Sequence, residues 1–173
     1  MSYKKRILSS GVNNTVVALS DAEVAKIFEG DTRSDIGSEA EKMRYANGVN
    51  DLVVKFHRLD FDNENEWAML VMERIFPLDF RALEVEKRAL IFDVFEYELL
   101  VLHKNGFVHR DLKRPSNISG DRYDNILLTP TGLRLIDVGI SAMKEKVGDK
   151  LFSKYVEQEL TELVAFKNYF LTR

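Results

Sequence analysis

The 173-residue chain contains no cysteine, which excludes disulfides, thiolate catalysis and cysteine-ligated zinc. It has only three histidines, His57, His103 and His109, and they are too scattered to form a metal cluster. No stretch approaches the roughly 20 apolar residues of a membrane span; the longest runs, such as residues 68–72, are strand-sized. The basic start, Met1 to Arg6, is followed by no apolar signal region. The expectation is therefore an intracellular protein, resident in the cytoplasm or delivered to another cell's cytoplasm. There is no excess of positive charge either. A formal net charge of −3 argues against a general nucleic-acid binder, because such proteins carry a basic face for the phosphates. Internal repeats and low-complexity tracts are absent as well.

The hydrophobic fraction of 45% is enough to build a core, and the length suits one compact unit or two small lobes. The first part reads as strands. Residues 15–19 and 23–28 are β-prone runs joined by a hairpin at 20–22. Residues 33–47 read as a helix with Gly48 as its stop, and Ser38 with Glu41 suits a capping box at its start. A second strand pair is expected at 52–56 and 67–72. The acidic stretch from Asp60 to Glu66 between them superficially resembles a calcium loop. It lacks the glycine at the sharp turn and the glutamate at the twelfth position, so it reads as a solvated turn.

From Glu84 to Asn105 the period becomes helical, with Ile91, Phe95, Leu99 and Leu102 on one face and Gly106 as the stop. Residues 126–128 and 133–136 form a hairpin around 129–132. A final amphipathic helix runs from about Asp149 to Phe170, with Phe152, Val156, Leu160, Leu163 and Phe170 inward. The pattern changes near Ile75 to Pro77.

Three fragments carry chemistry. They are Gly106 to Lys113 (GFVHRDLK), Asp124 to Leu128 (DNILL) and Leu135 to Gly139 (LIDVG). Together they place a carboxylate, a lysine, an amide and a second carboxylate in an order that suits phosphoryl transfer from a nucleotide. Here the chain resembles the protein-kinase superfamily. The likeness implies an α+β, two-lobed kinase-like fold: a single minimal domain over 1–173, with a β-rich lobe at 1–75 and a reduced, mostly helical lobe at 76–173.

By the same resemblance, Asp111 orients the acceptor hydroxyl and Lys113 faces the transferring phosphate, a residue type that serine/threonine kinases use there. Asp137, in Asp137-Val138-Gly139, holds magnesium, with valine where the family has phenylalanine. Its partner is Asn125, with Asn117 as the competing candidate; choosing Asn125 makes Arg114 to Asp124 an insert. Lys26 contacts the nucleotide phosphates and Val24 packs beside the base. Glu39 pairs with Lys26, Glu41 being the alternative. Met72, Glu73 and Ile75 resemble the gatekeeper and hinge, with backbone groups of Glu73 and Ile75 turned to a base edge. Gly11 is the only glycine in what resembles the glycine-rich loop. Arg110 is expected either to pair with a phosphorylated loop, Ser141 and Ser153 being the candidate sites, or to form a structural ion pair.

Only 34 residues follow Gly139, and no Ala-Pro-Glu motif is among them. This resembles minimal or atypical kinase-like proteins, such as small bacterial effector kinases or lipopolysaccharide sugar kinases. The implied activity is ATP- and magnesium-dependent phosphorylation of a hydroxyl, on a protein serine or threonine, with an activating protein partner conceivable. The alternatives are a small-molecule or sugar acceptor and a non-catalytic binding module.

Overall fold

The structure is a computed structural model, and it describes residues 6–10, 15–28, 35–114 and 122–173. Its first part is an antiparallel five-stranded sheet. Strands β1 (Arg6–Ser10), β2 (Thr15–Ala18), β3 (Glu23–Phe28), β4 (Phe56–Asp62) and β5 (Trp67–Glu73) lie in the order β1-β2-β3-β5-β4. β3 and β5 are central and apolar, and they pair over six residues from Glu23↔Glu73 to Phe28↔Ala68. Helix α1 (Ile36–Asn47) buries Glu39, Ala40, Met43 and Ala46. These positions recur at three- and four-residue spacing, one face of a helix.

Three expectations change here. α1 begins at Asp35, whose carboxylate accepts the N–H groups of Gly37 (2.9 Å) and Ser38 (3.2 Å). A short aspartate side chain reaches these otherwise unpaired amides, so no Ser38–Glu41 box forms. The fourth strand lies at 56–62, not 52–56. The apolar run Leu52 to Val54 is instead a buried connector, hydrogen-bonded to the later chain through Val54 N–H to Leu135 O (2.9 Å) and Leu135 N–H to Leu52 O (2.8 Å). A continuous apolar run marks full burial, which periodicity alone cannot assign to one strand or another. Asp60, Phe61 and Asp62 consequently belong to β4 and only 63–66 turn. An edge strand with most of its side chains in water accepts those charges. β1, which the sequence pattern did not reveal, pairs with β2 through a bulge between Ile7 and Ser9.

Residues 74–79 have no regular structure, and a 3-10 turn at Phe80–Ala82 leads into helix α2 (Val85–Lys104). Phe92, Phe95, Leu99 and Leu102 are its buried stripe, with Ile91 partly buried beside them. The helix ends at Gly106, where φ is +83°. A Cβ there would meet Tyr45 Oη and Lys144 Cβ at 3.3 Å, so both the turn and the close approach call for glycine. Short strand β6 (Phe107–Val108) pairs with β9 (Ala142–Met143), and between them β7 (Ile126–Thr129) and β8 (Gly132–Leu135) form the expected hairpin. A one-turn helix α3 (Lys144–Val147) and the long α4 (Asp149–Thr172) complete the chain.

Phe166 of α4 lies among Tyr123 (5.2 Å between ring centroids), Phe170 (5.4 Å), Phe95 (5.7 Å) and Phe92 (6.1 Å). Each buried aromatic contributes about 1.5–3 kcal/mol of transfer free energy. One core cluster joins Phe28, Met43 and Leu70 of the sheet part to Leu99, Leu135 and Phe166 of the helical part. Among the described residues no helix is long and apolar enough to cross a membrane.

Candidate active site

Of the residues singled out in the sequence, Lys26, Glu39, Asn125 and Asp137 line one cavity of about 380 Å³ between the sheet and the β7–β8 hairpin, and Asp111 is joined to it through Asn125. Strand alternation turns Val24 and Lys26 of β3 to the same face, and both line this cavity. Lys26 is 7% exposed. Its Nζ donates to Glu39 Oε1 at 2.8 Å and to Asp137 Oδ1 at 3.3 Å. Glu39 is the α1 carboxylate that arrives there. Glu41 points elsewhere, to Lys146 at 3.3 Å in an exposed pair. Two residues apart on a helix, the two glutamates point about 200° away from each other, so only one can enter the site.

Burial pushes the Lys26 ammonium down, but the Asp137 and Glu39 carboxylates outweigh this and raise it above the usual lysine value. Burial likewise pushes Asp137 up. There the Lys26 charge, with hydrogen bonds from the Gly139 N–H (3.2 Å) and Lys26, wins and holds the carboxyl below the usual aspartate range. Asp137 sits at φ +58°, a left-handed conformation rare for a residue with a side chain. That backbone turn lets its carboxylate accept the N–H of a glycine two residues on.

Asn125, 4% exposed, donates from Nδ2 to Asp111 Oδ2 (2.9 Å) and to Asp111 O (3.0 Å). Its Oδ1 is left as an acceptor on a residue that lines the cavity. The competing Asn117 and the glycine at Gly11 lie outside the described residues. Asp111 is half-buried; burial raises its carboxyl above the usual range, the nearby Asp137 charge adds to this, and His109 and Asn125 oppose it. Lys113 is half-exposed and does not line the cavity.

Met72, Glu73 and Ile75 do line it. The Glu73 N–H, however, donates to Lys55 O (2.9 Å), and its carboxylate takes Arg134 Nη2 (2.8 Å). A base edge therefore cannot take that N–H. Arg74 N–H is engaged by Ala22 O (2.9 Å), whereas the Ile75 N–H has no partner among the described residues.

The sequence reading missed what holds the loop carrying Asp111. Glu159 of α4 is 1% exposed. It accepts His103 Nε2 (2.8 Å), the His109 N–H (3.3 Å) and, through a very short bond, the Arg110 N–H. One turn on, the half-buried Glu162 faces the N–H groups of Leu112 and Lys113. Burial first, then the Glu159 charge, pushes its carboxyl up to about 7 against the pull of those two amides. Two carboxylates on successive turns thus meet four amides of one loop. His109 is fully buried, donating from Nε2 to Ile136 O (2.9 Å) and accepting the Asp111 N–H on Nδ1 (3.3 Å). A signal existed for Glu159: it is a carboxylate on the apolar stripe, seven residues after Phe152 and four before Leu163. A buried carboxylate demands donors.

No cluster of three or more His, Asp or Glu side chains able to hold a metal occurs among the described residues. The oxygen donors available are Asp137 and Asn125, with Glu39 Oε2 buried nearby without a hydrogen-bond partner. Hard oxygens in this number suit magnesium that is also held by phosphates and water.

No family model matches the chain, and no curated protein matches its sequence. Its fold is similar to that of the kinase PK-1 of Cydia pomonella granulovirus, with a TM-score of 0.55 and 21% identity over 81% of this chain and 55% of that one. The chain spans little more than half the length of that kinase. At this identity the likeness is one of fold, and the fold is kinase-like.

Proposed function

We propose that the chain is an ATP- and magnesium-dependent phosphotransferase acting on a hydroxyl, with a protein serine or threonine as acceptor. In this reading 1–173 is one minimal kinase-like domain, and its parts before and after residues 75–76 work as two lobes around the cavity. A single observation carries the proposal. Lys26, Glu39 and Asp137 meet within 3.3 Å, and Asn125 joins the same cavity to Asp111 at 2.9 Å. A lysine from a strand, a glutamate from a helix and two loop residues line one cavity, and a third loop residue, Asp111, is hydrogen-bonded to one of them.

ATP supplies the phosphoryl group, and magnesium neutralises charge on its phosphates. Asp137 and Asn125 would hold the metal. Lys26, kept cationic by its two carboxylates, would bind the phosphates. Val24 and Met72 give the base apolar walls, and the Ile75 N–H is the donor open to its edge. Asp111 holds the acceptor hydroxyl and takes its proton as the new P–O bond forms; a carboxyl raised by burial is the better base for that. Lys113 balances the charge that develops on the moving group.

Incubation with ATP and magnesium tests this by intact mass and ADP release, beside Asp111→Ala. Added phosphate or ADP from the wild type alone supports transfer. Asp111→Ala should lower the rate by about 10²-fold or more, with nucleotide affinity kept. Equal rates in the two proteins refute the assignment.

A second reading is favoured by one feature. Only residues 138–143 separate the Asp137 turn from α3, and α4 follows directly, which leaves little surface to dock a peptide. A small-molecule or sugar acceptor fits that economy; a phosphorylated metabolite without labelled protein would decide for it. Release of ADP only in the presence of an added protein would point to an activating partner. A folded protein that binds no nucleotide would point to a non-catalytic module.

A further inference from the structure

We propose that Tyr155 is a positioning residue for Asp111, and that the loop from Val138 to Met143 takes its working shape with no phosphate on it. The inference rests on the phosphotransferase reading above and deepens it.

Arg110 directly precedes Asp111, and at φ +71° it too is left-handed. Such a residue persists only where its surroundings over-determine it. Its N–H is held by Glu159 of α4. Its guanidinium lies 3.7 Å from the centroid of the Tyr155 ring, one helical turn before Glu159 on the same helix. Its Nη1 donates to Ile140 O at 3.0 Å. Backbone and side chain of one arginine are thus fixed by α4, and the same side chain fixes the loop after Asp137. Among the described residues Arg110 makes no ion pair with a carboxylate, and its charge faces the Tyr155 ring. The ring supplies the negative face instead.

The loop is also closed by other means. Ser141 is 4% exposed, and its hydroxyl donates to His109 O at 3.0 Å. Phosphorylation there would require breaking a contact that joins the two loops. Lys42 Nζ donates to Gly139 O (2.9 Å), the Ser141 N–H donates to Val138 O (3.0 Å), and β9 pairs with β6. Six residues tied at these points leave no long free segment for a phosphate to order. An arginine whose charge faces a π-surface also keeps its position where a phosphate-dependent contact would be lost.

The test uses the full chain as wild type, Tyr155→Phe and Tyr155→Leu, with kcat, KM for ATP, and hydrogen exchange at the Arg110 and Asp111 amides. Tyr155→Leu keeps apolar bulk but removes the π-face. It should lower kcat by about tenfold or more, since small misplacements of reacting groups are costly. KM for ATP should stay within about twofold, because the lost contact does not touch the nucleotide cavity. Tyr155→Phe keeps the ring and should retain kcat within about threefold. Wild-type protein treated with phosphatase, and shown phosphate-free by intact mass, should keep its rate. An unchanged kcat in Tyr155→Leu, or activity lost on phosphatase treatment, overturns the proposal. Should the wild type transfer no phosphate, the phosphotransferase reading fails, and exchange alone decides the positioning. Faster exchange in Tyr155→Leu but not in Tyr155→Phe supports it; equal rates in all three overturn it. If the leucine variant does not fold, Tyr155→Met takes its place in every arm.

Discussion

Two carboxylate clusters, one lining the cavity and one under the loop that carries Asp111, are held in opposite ways. On the sheet side, Lys26 stands between Glu39 and Asp137, and charge answers charge. On the helical side, Glu159 and Glu162 face the backbone amides of residues 109–113, and among the described residues neither forms an ion pair with a lysine or arginine. The first cluster is a buried ion pair, whose attraction is offset by the desolvation of both partners. The second is a set of hydrogen bonds that, once formed, leaves each amide with no other partner. Ion pairing keeps a buried lysine charged, whereas amide capture fixes the shape of a loop. A substitution should therefore affect function on the sheet side and folding on the helical side.

The strongest way to break this contrast is Glu159→Ala. It strands His103 and two buried amides, and at about 1–3 kcal/mol per unsatisfied group it should cost roughly 4 kcal/mol of stability. Urea unfolding measures this, and a loss under about 1 kcal/mol would contradict the anchoring role. Lys26→Met comes next. Glu39 and Asp137 lose their cation, but a carboxyl can take up a proton, so the cost should fall to about 2 kcal/mol. Nucleotide affinity should fall by about tenfold or more in calorimetry, since a charge contact to the phosphates is gone. A variant that binds nucleotide normally would remove Lys26 from the site.

The third prediction concerns pH. Glu162 has its folded pKa raised to about 7 from the ordinary 4.5. The folded state therefore binds this proton more tightly, and its contribution is fully present below pH 4.5. It is lost as pH rises through about 7. Discounted for its partial exposure, the loss should be about 1 kcal/mol between pH 5 and pH 7.5. Glu162→Gln should flatten that slope, and an unchanged slope would place the titration elsewhere. The depressed Asp137 works the other way: its stabilisation is present above the ordinary aspartate pKa and lost only in stronger acid, outside this window. The smallest effect is expected at Glu41→Ala. This glutamate sits one turn-fraction from Glu39 but makes only an exposed pair with Lys146, so its loss should change stability by under about 0.5 kcal/mol. A cost comparable to that of Glu39→Ala would mean that α1 presents a different face.

Much of the site was legible because its residues are close in sequence to what they do. Asp111, Asn125 and Asp137 lie in short runs whose spacing is set by a loop and a hairpin, and helical phase put Glu39 and Glu41 on nearly opposite faces, while the contact of Glu39 with Lys26 decided between them. β4 was misplaced because Leu52 to Val54 is apolar for a different reason: it is buried against Leu135, 81 residues or more along the chain. Asp35 was overlooked as a cap because a serine–glutamate box three residues on has the same chemistry. Glu159 and Tyr155 were read only as members of an amphipathic helix, and nothing local to α4 says which loop lies above it.

The sequence by itself determined the order of the elements, the helical and strand periods and the identity of the ionisable groups, because these depend on neighbours within a few residues. Tertiary structure decided which charges meet. The contact of Lys26 with Asp137 spans 111 residues, and the hold of Glu159 on Arg110 spans 49. Local propensity cannot encode such distances, since they arise only when the sheet, the hairpin and α4 close on one core.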